Sequence, residues 1–276
     1  MDRSRRHHHP RSGNAERRVR RRWPALIALT CLLGAADSSR PAPPPAARSG
    51  YEFLSPETRR VQDDDFANPG MLWVDSGRKL WSQVDPAGGK SCQSCHAQAR
   101  TLGVAAAHYP RYSPVAGHVI NLEQQINRCR SDHMKASPWA YESEELLALT
   151  SFLSHLARGS AIDVAIDGNA AGSFERGRQF FYRRRGQLNI SCANCHEQHA
   201  GGRLHGETIS QGQINGFPIY RQLWQTLGST HRMFAWCNEA VRAEPYSLGS
   251  QEYVDLELYE RWRGRGLKVE SPAVRR

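Results

Sequence analysis

Residues 91–98 read SCQSCHAQ, and residues 191–198 read SCANCHEQ. Both contain Cys-x-x-Cys-His, as Cys92, Cys95 and His96 and again as Cys192, Cys195 and His196. This is the attachment pattern of c-type haem. Two thiols must reach two vinyl groups on one porphyrin edge to form thioethers, and the imidazole that follows then lies beneath the ring and binds iron. A zinc site takes four ligands where each cluster offers three in a row. A thioredoxin-type Cys-x-x-Cys follows a strand and has no need of the histidine. Two copies in one chain make two covalently bound haem c groups the expected cofactors.

The motifs lie 100 residues apart, and the register extends upstream: Gly77-Arg78 matches Gly177-Arg178, and Trp81 matches Phe181. Downstream, Cys129 and Cys237 hold similar places, each followed seventeen residues later by an apolar helical residue, Leu146 or Val254. The helix signals repeat as well. NPGMLWVDSGRKLWSQ (68–83) has a proline at a helix start and apolar residues at helical spacing, and SFERGRQFFY (173–182) opens the second unit in the same way. SEELLALTSFLSHLARG has Ser143 as N-cap, Leu146, Leu149, Leu153 and Leu156 on one face and Gly159 as a stop; Ser250 to Gly264 repeats the scheme. Each unit therefore reads as helix, haem motif, irregular segment, helix. The expected fold is mainly α, with two tandem cytochrome c-like haem domains related by internal duplication, at 53–160 (haem 1) and 161–276 (haem 2).

The chain has 276 residues and a formal charge of +10, which raises the question of nucleic acid. Residues 1–36 hold nine arginines against Asp2 and Glu16, and only +3 remains from Asp37 onward. No basic stripe is left to bind phosphates, so no nucleic-acid partner is expected. The leader reads as a signal peptide: arginines to Arg22, the apolar run WPALIALTCLLGAA, and small residues Gly34 and Ala36 before a cleavage site at Asp37. The run is too short for a stable membrane anchor, and Cys31 within it reads as an ordinary signal residue. A flexible Pro/Ala/Ser linker follows at 37–52. Export to the periplasm is expected, by the general secretory route because thioethers form after translocation.

A haem held by one histidine leaves the other face of its iron to a second residue, which sets the potential. Methionine candidates are Met134 and Met233. Histidine candidates are His108, His118 and His133 for the first unit, and His199, His205 and His231 for the second. Thiolate candidates are Cys129 and Cys237, both expected on irregular segments. With Cys31 removed, six cysteines remain and the haems consume four, leaving one per repeat. Those two could ligate iron, pair in a disulfide or stay inert and buried.

The whole pattern resembles the SoxA family, the dihaem cytochrome c subunits of the SoxAX complex of bacterial sulfur oxidation. The likeness runs through DDFANPGMLWVDSG (64–77), SCQSCH (91–96), INGFPIYRQLWQTLGSTHR (214–232), FAWCNEAVRAEPY (234–246), LGSQEYVDLELYERW (248–262) and GLKVESPAVRR (266–276). The resemblance implies iron ligation by His96 with Cys129 and by His196 with Cys237. It makes Cys237 the catalytic residue, carried as a persulfide, in the oxidative joining of thiosulfate to a cysteine of a SoxYZ-like carrier, with two electrons passed through haem to an acceptor cytochrome c. It further implies a heterodimer with a SoxX-like monohaem cytochrome c. The family's active-site arginine stands four residues before the cysteine, where this chain has Met233; Arg232 and Arg242 are the substrate-binding candidates in its place. Thiosulfate dehydrogenase, which forms tetrathionate, and a plain dihaem electron-transfer cytochrome are the rival readings.

Overall fold

The long helices begin and end at the residues whose side chains suit caps. In chain order the elements are α1 (Pro56–Asp63), α2 (Met71–Ser82), α3 (Cys92–Cys95) and α4 (Ala99–Ala106), then the hairpin of β1 (Arg111–Ser113) and β2 (His118–Ile120). Next, α5 (Leu122–Arg128) runs into a π-helical turn at Cys129–Met134, and α6 (Glu144–Leu156) follows. The second half holds α7 (Ala171–Tyr182), a π-helical turn at Asn194–Gln198, the short pair β3 (Arg203–Leu204) and β4 (Glu207–Thr208), and the hairpin of β5 (Ile219–Arg221) and β6 (Thr226–Gly228). It closes with α8 (Thr230–Ala240), α9 (Gln251–Arg263) and β7 (Ala273–Arg275). The computed structural model describes residues 46–204 and 206–276. The expected signal peptide, residues 37–45 of the expected linker and His205 lie outside the described residues.

Two packed helix pairs carry the fold of the described residues, α2 on α6 and α7 on α9. Ser143 Oγ accepts from the Leu146 amide at 3.3 Å to cap α6, and α9 starts after Ser250 and stops at Gly264. Close crossing requires glycine at one point in each pair. A Cβ on Gly77 would collide with the Ala148 carbonyl oxygen, and one on Gly177 would collide with the Asp255 carbonyl oxygen. Around these crossings Val74, Trp81, Leu146, Leu149 and Phe152 form one core, and Phe180, Phe181, Tyr253, Leu256 and Tyr259 form another. Each fully buried aliphatic side chain of this kind contributes about 1.5–3 kcal/mol.

Helices dominate, but the described residues also contain short strands that a mainly α reading leaves out. β6, β5 and β7 form a three-stranded sheet in which the C-terminal β7 runs parallel to β5, with Ile219 opposite Ala273. Strands of three residues are too short to show alternation, so their sequences carry no period to read. The sheet ties the ends of the unit together: Gln62 in α1 accepts from the Val274 amide at 3.1 Å, and Asn68 Nδ2 donates to the Pro272 carbonyl at 2.9 Å.

A buried polar cluster joins α5, α8 and α9. Asn121 Nδ2 donates to Glu257 at 3.1 Å, His231 Nε2 lies 3.1 Å from the same carboxylate, and Tyr141 stacks on the His231 ring at 5.5 Å. Burial, reinforced by the neighbouring Glu257 charge, pushes the Glu123 carboxyl up to about 8.

Candidate functional site

Each haem motif is a capped turn. Ser91 Oγ accepts from the Ser94 amide at 3.2 Å at the start of α3, and Ser191 Oγ accepts from the Asn194 amide at 3.4 Å in the second motif. His96 follows α3 with its ring 6.1 Å from that of Trp81. His196 is fixed more tightly. Its Nδ1 donates to the Ser210 carbonyl at 2.9 Å, which leaves the Nε2 lone pair for a metal. Gly212, at φ +75°, packs against the imidazole so closely that a Cβ would stand 2.8 Å from its Cγ. Burial lowers the pKa of His196, which keeps the ring in its neutral, ligating form.

The distal cysteines are delivered by one local design used twice. In the first half β1 and β2 lead to Asn121, whose side chain accepts from the Gln124 amide at 3.0 Å, and Cys129 follows eight residues after that cap. In the second half β5 and β6 lead to Ser229, whose hydroxyl accepts from the Arg232 amide at 3.1 Å, and Cys237 again follows eight residues later. Neither cysteine lies on an irregular segment as expected: Cys129 begins the π-helical turn at the end of α5, and Cys237 lies inside α8. The helical stripe of α8 is His231, Phe234 and Asn238, and its two polar members hide the periodicity.

Cys129 is grouped with the first motif and Cys237 with the second. The Cys92 thiol is pushed up by burial and then by Cys129. Cys192 is raised by burial, then by Glu260 and by Cys237. Cys129 and Cys237 are both free thiols. Among the described residues no three His, Cys, Asp or Glu converge closely enough to hold an ion unaided, so a porphyrin would have to supply the in-plane ligands. A neutral imidazole with a free Nε2 and paired thiols on a short turn suit covalent haem c, and a further thiol is brought to each motif.

The other ligand candidates are placed as follows. His231 is fully buried, with Nδ1 accepting from the Gly249 amide at 3.0 Å and Nε2 lying 3.1 Å from Glu257. Met233 Sδ accepts from Arg221 Nη1 at 3.5 Å. Met134 is buried. His108, His118, His133 and His199 are exposed, and His108 Nδ1 lies 2.7 Å from the Asp163 carbonyl.

The cation nearest the second site in this network is one that the sequence reading missed. Burial pushes the Cys237 thiol up to about 11, and the first charge that pulls it back is the Arg221 guanidinium. Arg221 enters from β5 with its guanidinium carbon 4.0 Å from the centre of the Trp236 ring and 5.2 Å from that of Trp224. Arg232 and Arg242, the expected cations, are placed differently. Arg232 stacks on Trp224 at 4.4 Å and lies 3.7 Å from Glu142. Five residues before Cys237, it falls on another face of α8, whereas a spacing of four brings side chains together. Arg242 lies beyond the end of α8, exposed, at φ 57°.

Residues 76–162 match the family described as SoxA/TsdA, cytochrome c domain. The chain is 41% identical over 230 residues to the L-cysteine S-thiosulfotransferase subunit SoxA of Rhodovulum sulfidophilum, a match covering 83% of this chain and 80% of that one. The chain belongs to the SoxA family. A second SoxA relative, from Pseudaminobacter salicylatoxidans, is 42% identical over 229 residues, covering 82% of this chain and 80% of that one. The crystal structure of SoxXA from P. pantotrophus superposes with a TM-score of 0.81 at 38% identity, over 83% of this chain and 87% of that chain. SoxA proteins are subunits of a cytochrome c-linked sulfur transferase and bind haem c covalently. No described helix of this SoxA chain is long and apolar enough to cross a membrane.

Proposed function

We propose that this chain is the catalytic, dihaem subunit of a periplasmic enzyme that joins thiosulfate oxidatively to a cysteine of a SoxYZ-like carrier, as a heterodimer with a SoxX-like monohaem cytochrome c. The observation that carries this reading is the arrangement at α8, where a cysteine brought to the second haem motif is flanked by a cation. Its support in sequence is the likeness to SoxA proteins over 83% of the chain. Two tandem haem units are supported by the recurrence of the same parts. Gly77 and Gly177 keep the offset of 100, while the hairpins, the caps Asn121 and Ser229, and Cys129 and Cys237 keep an offset of 108.

Haem 1 would be held by Cys92, Cys95, His96 and Cys129, and haem 2 by Cys192, Cys195, His196 and Cys237. Bound at the second site, haem c would supply a metal that keeps the Cys237 sulfur deprotonated and an acceptor for the electrons of the reaction. In that reaction one S–S bond forms between the carrier cysteine and the sulfane sulfur of thiosulfate; the carrier thiol loses its proton and two electrons leave, bound for an acceptor cytochrome c. Cys237, as a persulfide, presents the sulfur on which this exchange takes place. Arg232 and Arg242 add positive potential around α8 for an arriving dianion.

The test is thiosulfate-dependent modification of a SoxYZ-type carrier by the purified heterodimer, followed by mass spectrometry. Wild type converts the carrier and Cys237→Ala does not, with haem still attached. Free formation of tetrathionate with the carrier left untouched would show a thiosulfate dehydrogenase instead.

A further inference from the structure

Arg221 lies half-buried on β5, and no Asp or Glu side chain among the described residues lies within ion-pair distance of it; the oxygen 3.2 Å from its Nε is the main-chain oxygen of Arg276, the last residue of the sequence. A half-buried guanidinium has lost water, and with no acidic side chain against it the outer N–H edge is left for an anion. Its other contacts orient it. Trp236 and Trp224 flank it at 4.0 and 5.2 Å, Nε donates to the Arg276 carbonyl at 3.2 Å, and Nη1 leans on Met233 Sδ at 3.5 Å. Trp236 and Met233 stand one and four residues before Cys237, so this frame holds the cation beside that sulfur. Among the described residues Glu207, beyond ion-pair distance, and Cys237 raise its pKa against the lowering by burial. A guanidinium remains charged at neutral pH.

We propose that Arg221 is the thiosulfate-binding residue of this site, its guanidinium edge pairing with the sulfonate oxygens so that the sulfane sulfur faces Cys237. The assignment rests on the reading of Cys237 as the reacting cysteine. An aromatic-flanked guanidinium presents its N–H edge in one plane, which suits the two oxygens of a sulfonate better than a mobile ammonium does. Arg232, already next to Glu142, and Arg242, exposed beyond the helix, are less suited to this part.

The experiment compares wild-type, Arg221→Gln and Arg221→Lys heterodimers, with haem loaded, for thiosulfate-dependent carrier conjugation. For Arg221→Gln the KM for thiosulfate rises about ten- to hundredfold, the range for losing a charge-assisted hydrogen bond, while the KM for the carrier and the haem spectra stay unchanged. Arg221→Lys recovers part of the loss. The wild-type KM rises with ionic strength and that of Arg221→Gln rises less, because the screened charge is gone. If Arg221→Gln does not fold, a Lys variant with unchanged KM overturns the assignment on its own. A thiosulfate KM within twofold of wild type in a folded Gln variant, while Cys237→Ala is inactive, overturns the role of Arg221 and leaves that of Cys237 intact. Activity surviving in Cys237→Ala overturns the underlying reading instead.

Discussion

Cys129 and Cys237 sit at the same place in the same local structure and in different chemical company. Each follows a three-residue hairpin and a capped helix start by eight residues. One turn before Cys129 stands Gln125, whose Nε2 donates to the cysteine sulfur at 3.3 Å; the corresponding residue before Cys237 is Met233, which has no proton to give. The cation changes sides as well. Next to Cys129 in the chain stand Arg128, held by Ser113 Oγ at 2.6 Å and lying 3.6 Å from Asp132, and the buried Arg130, 2.9 Å from Asp85. Beside Cys237 the positions corresponding to Ser113 and Arg128 are Arg221 and Trp236, so the cation comes from the strand and rests on an indole. The first sulfur accepts a hydrogen bond and its neighbouring cations are paired, while the second sulfur lacks that donor and its cation has no acidic side chain beside it. A shared scaffold thus carries one cysteine suited to a structural or electron-transfer role and another suited to reaction.

The shared scaffold is the easiest part of the comparison to break. Gly77→Ala or Gly177→Ala drives a methyl into a backbone carbonyl, and each should cost about 3 kcal/mol in chemical denaturation of the holoprotein. A loss below about 1 kcal/mol for either would mean that its helix pair does not need the close crossing.

Glu123 and His231 also correspond, each two residues past its cap and both directed at Glu257, and they give a pH signature. Tyr141, Glu142 and Arg261 face the same cluster. Because the folded Glu123 pKa is raised from the ordinary 4.5 to about 8, the folded state holds its proton longer than the unfolded chain. The stability this group contributes is complete below about pH 4.5 and is lost as pH rises towards 8. Glu123→Gln should therefore gain on wild type by about 3–4 kcal/mol between pH 5 and 8, measured by denaturant titration at each pH. A stability difference that does not change with pH would contradict the buried, protonated acid.

A smaller change would sharpen the comparison by making the second site resemble the first. Met233→Gln places an amide where Gln125 stands relative to Cys129, and a hydrogen bond to the Cys237 sulfur would lower its reactivity. Carrier conjugation should slow about tenfold, the effect of roughly 1.4 kcal/mol, with thiosulfate KM nearly unchanged. Equal rates would show that the donor at Gln125 does not distinguish the two sulfurs.

The parts legible in the sequence are those whose cause is local. The helix signals at 68–83, 143–159, 173–182 and 250–264 correspond to α2, α6, α7 and α9, because apolar spacing, Ser143, Gly159 and Gly264 act within a few residues. The two Cys-x-x-Cys-His motifs, and Cys129 and Cys237 outside them, stand out in the sequence by spacing alone. Arg221 was not, since it reaches Cys237 from sixteen residues away through a hairpin whose strands are three residues long. A signal did exist: IYR and TLG stand 108 residues after RYS and HVI, the same offset that relates Cys129 to Cys237. His231 reads as a ligand candidate because sequence cannot show that the Gly249 amide occupies its Nδ1 and that the ring is buried against Glu257 and Tyr141.

The central claim is that the reaction belongs to Cys237 and not to Cys129, and peptide mass spectrometry of the purified holoprotein after incubation with thiosulfate tests it most directly. The account predicts added sulfur on the peptide containing Cys237 and an unmodified peptide containing Cys129. Added sulfur on Cys129, or on neither cysteine while carrier conjugation proceeds, would contradict it.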